Sequence, residues 1–368
     1  MQTYNVVDLF CGCGGGAIGI ERLGRTNTLF AIDFWKPAVD SYNYNLSNKA
    51  IQMDIHDLDE KKINKLIDGK QCDILIGSPP CQGFSLMTRN NYKDSNGNIH
   101  SGMEQKNHLF LEFIRVADIL QPKVIIMENV VGILSMKNQY GNKVFDDILK
   151  SFNNIGYNIK FNIIKCEKLG LPQTRHRVII LASKDKNIFD RLEFPMDNGD
   201  RTSIGKAIID IPEFGNDYRY DLDKCFSYIK KLRNNDDILT DNITNKTTDI
   251  VKERIKLIKT GMCMKDLPND EPLKTKAKFT NSYKRESASS LIGTISNITK
   301  NILIHPYYDR IYTIREGLRL QNFPDKYLLQ GSIQDKYLMI ANAIPPLLTE
   351  NVVRGIIDVL DNIKKEGD

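Results

Sequence analysis

Residues 5–16 read Asn5-Val6-Val7-Asp8-Leu9-Phe10-Cys11-Gly12-Cys13-Gly14-Gly15-Gly16. The apolar run through Phe10 predicts a β-strand, the glycines predict a tight turn, and residues 17–23 follow a helical pattern. Glycine in such a turn lets a ligand approach the backbone, and the N-terminus of a helix adds partial positive charge. This order predicts an α/β fold of the Rossmann type. A glycine turn that binds nothing is the alternative, because the spacing alone is a weak signal.

Two later strands end in an acidic residue. Leu29-Phe30-Ala31-Ile32-Asp33 places Asp33 about 20 residues after the glycines, where Rossmann-type folds bind the two hydroxyls of a ribose. Phe34, or Trp35 beside it, could stack on an adenine. Asp54 follows a third apparent strand and could contact an exocyclic amine. Carboxylates at strand ends are also common on protein surfaces, so each of these acids could instead be a surface residue that binds no ligand.

The bulk composition sets the class of protein. The chain has 368 residues and is 41% hydrophobic, which predicts a large core in two domains or in one domain with an insertion. Its net charge of +5 is a small difference between 51 basic and 46 acidic residues, so an anionic partner would meet local basic clusters. The sequence contains neither a long apolar span nor a signal peptide, which predicts an intracellular, cytoplasmic protein. Its seven cysteines form neither a disulfide framework nor a zinc motif.

A second stretch centres on a cysteine. Ile74-Leu75-Ile76 predicts a buried strand, which Gly77-Ser78-Pro79-Pro80 ends, so that Cys81 follows at the strand's carboxyl end. Ligands bind at that end in an open parallel sheet. A buried cysteine that packs as a small hydrophobe is the alternative. The polar residues 86–107 that follow predict a lid, or else a disordered loop, in which Arg89 and Lys93 could touch phosphates.

Three further charged residues stand beside apolar strands. Val124-Ile125-Ile126-Met127 predicts a fourth strand that ends in Glu128, which would lie near Cys81 if the two strands are neighbours. A salt-bridged or helix-capping Glu is the alternative. Arg175 and Arg177 alternate along an extended segment and so project to one side, where they could bind an anion or a base edge. The alternative is that both arginines are exposed to solvent and bind nothing.

Between about residues 185 and 289 the alternation of strand and helix patterns fades, and Asn, Asp and Lys dominate the sequence. Between Asp221 and Ser290 there are 15 Lys and Arg against 11 Asp and Glu. The segment from Lys274 to Arg285 mixes basic and aromatic side chains, which suits a surface that binds phosphates, although a solvated loop is the alternative. Beyond it, Thr313 and Glu316 predict a capping box for a helix through Leu320. Residues 341–346 predict a strand or loop, and residues 347–363 a helix.

Taken in order, these segments make the chain resemble the C5-cytosine DNA methyltransferase family over nearly its whole length. The resemblance covers six ordered motifs, which are Asp8-Leu9-Phe10-Cys11-Gly12-Cys13-Gly14-Gly15, Gly77-Ser78-Pro79-Pro80-Cys81-Gln82-Gly83-Phe84-Ser85, Glu128-Asn129-Val130, Gln173-x-Arg175-x-Arg177, residues 315–325, and Asn342-Ala343-Ile344-Pro345-Pro346. Ser78 stands where a second glycine or a bulky residue is usual. Ala341 replaces a glycine, and Gly317 falls in a predicted helix.

The resemblance implies a role for each matching residue. Cys81 would be the nucleophile, and Glu128, Arg175 and Arg177 would surround the target base. S-adenosylmethionine, which becomes S-adenosylhomocysteine, would be the cofactor, with no metal. The residues implied to contact the cofactor are Phe10, Gly12, Gly14, Asp33, Phe34, Asp54, Ile55, Pro80 and Asn342. Residues 1–185, completed by 334–368, would form the catalytic domain, and residues 186–333 a smaller, irregular domain that recognises DNA.

The implied reaction is methyl transfer to carbon 5 of a cytosine in double-stranded DNA. A thiolate must first add to carbon 6, because carbon 5 alone is a poor nucleophile, and the base must leave the helix to be reached. Such an enzyme, as a monomer, would protect DNA in a microbial or phage-encoded restriction-modification system that also has a cognate endonuclease.

Three other functions compete with this one. A tRNA cytosine-5 methyltransferase of the same superfamily would carry a late Cys-Phe-Thr signature, of which Lys278-Phe279-Thr280 offers two residues. A non-catalytic DNA-binding relative would not need Cys81, Glu128 and both arginines. A nicotinamide dehydrogenase would leave the cysteine motif and the basic segment without a use.

Overall fold

The computed structural model describes residues 2–80, 109–138, 140–275 and 282–367. Cys81, the predicted lid of residues 86–107 with Arg89 and Lys93, and Lys278-Phe279-Thr280 lie outside these ranges. Within them the chain divides into two compact units. The first unit contains residues 1–165, 176–195 and 349–368, and the second contains residues 166–175 and 196–348.

The strands are short to medium in length and most of the long ones lie in the first unit. They are β1 (Tyr4–Leu9), β2 (Thr26–Asp33), β3 (Ala50–Gln52), β4 (Ile74–Gly77), β5 (Val124–Val130), β6 (Asn158–Lys165), β7 (Gln173–Thr174), β8 (His176–Ser183), β9 (Lys284–Arg285), β10 (Ile292–Gly293) and β11 (Leu303–Ile304).

The helices alternate with these strands in the first half of the chain. They are α1 (Gly15–Glu21), α2 (Lys36–Asn45), α3 (Glu60–Ile67), α4 (Leu109–Leu120), α5 (Val144–Asn154), α6 (Lys186–Arg191), α7 (Ile204–Ile208), α8 (Ser227–Lys230), α9 (Asp249–Leu257), α10 (Ile298–Asn301), α11 (Ile314–Leu320), α12 (Ile333–Asn342) and α13 (Pro346–Gly367).

The first unit is built on a seven-stranded sheet in the order β3-β2-β1-β4-β5-β8-β6. Strands β1 to β5 run parallel to one another, and β8 runs antiparallel to both β5 and β6. The strand order reverses between β1 and β4, and ligands of open α/β sheets bind beyond the carboxyl ends of the strands at such a point. This sheet, with helices between its strands, confirms the predicted α/β, Rossmann-like fold.

The apolar strands form because both of their faces are covered. Residues 124–129 of β5 and residues 74–77 of β4 are buried without a break, as expected for parallel strands between two layers of helices. A large cluster of buried side chains joins these strands to α4 and α5, with Phe113 and Phe152 meeting edge to face. This core is continuous beneath the carboxyl ends of β1, β4 and β5.

The second unit is held together by buried charges as well as by apolar contacts. Arg319 donates to Asp210 and Asp325, and the side chains of all three are fully buried. Arg233 adds a second ion pair to Asp210. Removing one partner of such a network leaves an uncompensated charge in the core, which is strongly destabilising. The irregular region of the sequence therefore folds with its own polar core.

The observed units differ from the predicted domains at three places. Residues 166–175 and 334–348 belong to the second unit, whereas the sequence placed both with the catalytic domain. Residues 186–195 belong to the first unit, whereas the sequence placed them with the smaller domain. Of the residues 341–346 that were expected to form a strand or loop, 343–345 form a loop, but 341 and 342 end helix α12 and 346 begins α13. The preceding residues supply a capping box at Ser332 and Asp335, which starts a helix that the motif alone does not reveal.

Two helices match the sequence closely. Thr313 and Glu316 form the predicted capping box at the start of α11, and α13 covers the predicted helix of residues 347–363. In the first unit, Asp361 of α13 accepts hydrogen bonds from Tyr4 and Arg25.

No helix in the described ranges combines the length and apolar character needed to cross a bilayer.

Candidate active site

The glycine turn after β1 has the backbone conformation that its sequence requires. Gly12 and Gly14 have φ angles of 54° and 82°, in the left-handed region that favours glycine. Phe10 also lies there, with φ 56°, and packs against the apolar core. The backbone N–H of Gly14 donates to the carbonyl of Cys11 at 3.0 Å. The turn therefore folds tightly at the carboxyl end of β1.

Asp33 at the end of β2 holds this turn in place. Its Oδ2 accepts the backbone N–H of Gly12 at 2.8 Å, and its Oδ1 accepts that of Trp35 at 2.9 Å. Burial raises the pKa of Asp33, and these backbone hydrogen bonds oppose the rise. The ring of Phe34 is 68% exposed, which leaves it available to stack on a ligand, whereas Trp35 is half-buried.

Asp54 lies where the third strand has ended and caps a short 3₁₀ helix, Ile55–Asp57. Its Oδ1 accepts the backbone N–H of His56 at 3.0 Å and lies 2.6 Å from Nδ1 of the same residue. The backbone hydrogen bond from His56 lowers the pKa of Asp54. Ile55 is buried, and its carbonyl accepts a hydrogen bond from Arg115. Both residues are therefore fixed in position.

Asp8 is a charged residue that the sequence argument did not single out. It is buried inside β1, and burial together with the charge of Asp33 raises its pKa well above the usual range. Burial also raises the pKa of Cys13 to about 12. An acidic residue in an otherwise apolar strand was the signal that could have found Asp8. The raised pKa of Asp8 favours its neutral form, so this acid adds little negative charge at this end of the sheet.

The other half of the candidate site lies at the ends of β4 and β5. These strands pair in parallel with Gly77 opposite Met127, so the condition that they be neighbours is met. The hydroxyl of Ser78 donates to Oε2 of Glu128, and the side-chain amide of Asn129 donates to the carbonyl of Pro79 at 3.0 Å. These bonds tie the residues just before Cys81 to the acid.

Glu128 also forms an ion pair with Arg177. The distance from Nε of Arg177 to Oε1 of Glu128 is 2.7 Å, and the side chains are 10% and 7% exposed. In the antiparallel pairing of β5 with β8, Glu128 lies opposite Ile179 and Val130 opposite Arg177. Glu128 and Arg177 are therefore diagonal neighbours on one face of the sheet, within reach of long side chains.

Two predicted site residues belong to the second unit. Arg175 is buried there and donates to the carbonyl of Ala343 at 2.8 Å. Asn342 is the last residue of α12 and is exposed. The role of Arg175 beside the target base stays a prediction. Pro80 is half-buried at the edge of the described ranges.

A comparison with family models matches residues 4–358 to the C-5 cytosine-specific DNA methylase family. The chain belongs to this family. It is a DNA cytosine-5 methyltransferase, and enzymes of this family use S-adenosylmethionine. Among the described residues, no group of three or more His, Cys, Asp and Glu could hold a metal ion.

Relatives of the methyltransferase include bacterial proteins of similar length. It is 31% identical to the Type II methyltransferase M.DdeI of Desulfomicrobium norvegicum, over 98% of this chain and 90% of the relative. It is 26% identical to the Type II methyltransferase M1.HphI of Haemophilus parahaemolyticus, over 98% and 88% of the two chains.

A solved structure supports the fold of the methyltransferase. A prophage-encoded Escherichia coli protein, provisionally described as a DNA modification methyltransferase, superposes with a TM-score of 0.76 at 23% identity, over 98% of this chain and 100% of the other. The tight glycine turn after β1 leaves backbone that a ligand can approach, as in other Rossmann-like folds.

Proposed function

We propose that this methyltransferase transfers a methyl group to carbon 5 of a cytosine that has rotated out of double-stranded DNA, through a covalent bond from Cys81 to carbon 6. The observation that supports it most is the position of Glu128. This acid lies at the carboxyl end of β5, bonded to Ser78 and Arg177, beside the segment that leads into Cys81. The outcome would be the protection of DNA in a restriction-modification system.

The chemistry explains why these residue types are needed. S-adenosylmethionine supplies an electrophilic methyl group when it is bound. Cys81, as a thiolate, adds to carbon 6 and makes carbon 5 electron-rich, and a thiolate is both a good nucleophile and a good leaving group. Glu128 shares a proton with ring nitrogen 3 as negative charge develops there. Carbon 5 would then carry the methyl group as well as its hydrogen, and loss of that hydrogen as a proton to a base would expel the thiolate and restore the aromatic ring.

The arginines complete the base-binding part of the proposal. Arg177 has two tasks, because its Nε orients Glu128 while the rest of its guanidinium can donate to the carbonyl oxygen at position 2 of the base. Arg175, held by Ala343 in the second unit, would act on the base or on a phosphate. An arginine suits both tasks because its donors point in fixed directions.

The glycine turn supports a proposed set of residues that would bind the cofactor. Asp33 would accept the ribose hydroxyls, Phe34 would stack on adenine, and Asp54 with the backbone of Ile55 would contact the adenine edge. Gly12 and Gly14 would let the cofactor approach the backbone. Phe10, Pro80 and Asn342 would make the remaining contacts.

The target is double-stranded DNA, and the region of residues 186–333 would read its sequence from the major groove. The names of two relatives, both Type II methyltransferases, favour DNA modification over a tRNA substrate. A cognate endonuclease that cuts the same sequence would be the biological counterpart, with no contact between the two proteins required.

Transfer of tritium from labelled S-adenosylmethionine tests the reaction. We expect label in 5-methylcytosine after duplex DNA is digested to nucleosides, and none in tRNA. Label on an exocyclic amine, or label in tRNA alone, would refute the proposal. Bisulfite sequencing of plasmid from expressing cells would locate the modified cytosine and give the sequence that a cognate endonuclease must share.

The covalent step has its own test. DNA that carries 5-fluorocytosine at the target cannot lose a proton from carbon 5, so the bond to Cys81 should persist and survive denaturing electrophoresis. Cys81→Ser should bind the same DNA without forming that species. An equally stable adduct with the serine variant would exclude Cys81 as the nucleophile.

A further inference from the structure

Ser78 has a contact that the motif around Cys81 does not explain. It follows the last residue of β4, and its hydroxyl donates a hydrogen bond to Oε2 of Glu128. The other carboxylate oxygen, Oε1, lies 2.7 Å from Nε of Arg177. Each oxygen of Glu128 therefore has its own donor, one at the end of β4 and one on β8, the two neighbours of β5.

Two donors constrain a carboxylate more than one donor does. The last side-chain torsion of glutamate is soft, so a carboxylate held at one oxygen can still rotate about its terminal bond. A second donor on the opposite side removes this rotation. Glu128 is only 5% exposed, so little water is available to replace a lost donor, and an unreplaced hydrogen bond to a charged group is costly.

We propose that Ser78 is a positioning residue that fixes the carboxylate plane of Glu128 toward the target base. This inference rests on the proposed role of Glu128 in proton sharing at ring nitrogen 3. Proton transfer depends on heavy-atom distance and direction, so a rotated carboxylate would slow the chemical step while leaving the binding of DNA and cofactor nearly intact.

The first experiment compares kcat and KM of purified full-length variants with the wild type. Ser78→Ala is expected to lower kcat about tenfold and to leave KM for DNA and for S-adenosylmethionine within about twofold. Ser183→Ala is the matched control. Ser183 is also buried, and its hydroxyl donates to the carbonyl of Lys123. Lys123 precedes β5, so this bond lies at the amino end of that strand, away from Glu128. The Ser183 variant should lower the melting temperature without changing kcat.

A pair of isosteric variants separates the hydroxyl from its packing. Ser78→Thr retains a donor and should keep kcat within about threefold of the wild type, whereas Ser78→Val, of the same shape, should be as slow as the alanine variant. The comparison of the threonine and valine variants still tests the inference if Ser78→Ala does not fold. Equal kcat for the threonine and valine variants would overturn the inference.

A double-mutant cycle tests whether Ser78 acts through Glu128. Glu128→Gln should lower kcat by about 100-fold or more, and adding Ser78→Ala to it should change kcat by less than about twofold. The same loss from Ser78→Ala in both backgrounds would overturn the inference, as would wild-type kcat for Ser78→Ala alone. Wild-type kcat for Glu128→Gln would instead refute the proposed role of Glu128, so the two failures are distinguishable.

Discussion

The side-chain amide of Asn129 donates a hydrogen bond of 3.0 Å to the backbone carbonyl of Pro79. Both residues are buried, and the bond joins the end of β5 to the segment that follows β4. Pro79 is two residues before Cys81 in the sequence. The neighbour of Asn129 is Glu128, which is bonded to Ser78. Two adjacent residues of β5 thus hold two adjacent residues of the cysteine motif.

Replacing Asn129 with Ala should slow methyl transfer. The loss of the bond to Pro79 removes one of the two side-chain bonds described here between β5 and the segment before Cys81, and small misplacements of a reacting group lower the rate. We expect a single-turnover rate about 10- to 100-fold lower, with cofactor affinity unchanged. Rapid-quench assays with labelled cofactor measure this rate.

Asn5→Ala is the matched control for that variant. Asn5 lies on β1, and its side-chain amide donates to the carbonyl of Gln71 at 3.0 Å, just before the start of β4. It therefore makes the same kind of bond at the other end of β4. The Asn5 variant should leave the rate unchanged. Equal losses for the two variants would show that the bond from Asn129 serves only the stability of the sheet.

Asp33→Asn should weaken cofactor binding. Both carboxylate oxygens of Asp33 accept backbone N–H groups, and an amide in place of the carboxylate would present one nitrogen to a donor. The glycine turn and the proposed ribose contacts would both suffer. We expect the Kd for S-adenosylhomocysteine to rise about tenfold or more, measured by isothermal titration calorimetry.

Asp40→Asn provides the comparison. Asp40 is an exposed acid on α2 that pairs with Lys36, and the loss of such a surface pair changes little. Its Kd should match that of the wild type. An unchanged Kd for Asp33→Asn would remove Asp33 from the cofactor site.

Gly77→Ala should destabilise the first unit. A Cβ atom at this position would lie 2.6 Å from the carbonyl oxygen of Leu9 and 2.6 Å from the ring of Phe113. Because the oxygen belongs to the backbone of the neighbouring strand, β1 and β4 would have to separate. We expect a loss of about 1–3 kcal/mol in the free energy of unfolding, measured by urea denaturation.

Gly355→Ala in α13 is the opposite case. A Cβ there would meet nothing within 4 Å, and alanine favours the helix, so a gain of about 0.5–1 kcal/mol is expected. A stable Gly77→Ala variant would mean that β1 and β4 can move apart without cost.

The stability of the second unit should depend on pH through Glu316. Burial alone would raise the pKa of this carboxyl, but His305 and Arg310 beside it lower the pKa to about 2 from 4.5. Because the folded pKa lies below the unfolded one, the contribution is present above pH 4.5 and is lost as the pH falls toward 2. The loss is on the order of 3 kcal/mol.

Urea unfolding at a series of pH values measures this contribution. Glu316→Gln should be less stable than the wild type at neutral pH, because Arg310 loses its buried partner, and its stability should vary less between pH 4.5 and 2. Glu253→Gln, which removes an exposed pair with Lys256, should follow the wild type. A wild-type pH dependence in Glu316→Gln would exclude Glu316 as its source.

Local patterns were sufficient for the strands with both faces buried. The apolar runs at β1, β2, β4 and β5 predict strands because strands with both faces buried have unbroken hydrophobic sequences. Helices α2, α3 and α5 were not predicted, since mixed polar sequences give weaker periodic signals. The last two residues of α12 were expected in a strand or loop, because the capping box that starts this helix, at Ser332, lies outside the motif.

The sequence by itself determined the Rossmann-like class and the glycine turn after β1. It also determined that the acids Asp33 and Glu128 lie at the ends of strands. These features depend on short-range spacing and on which residues follow an apolar run. Only the tertiary structure decided that Arg177 pairs with Glu128, and that Ser78 and Asn129 form hydrogen bonds between the ends of β4 and β5. Such pairings depend on strand order and on the antiparallel register of β5 and β8. Register is set by contacts between residues far apart in the chain, which a local pattern does not contain.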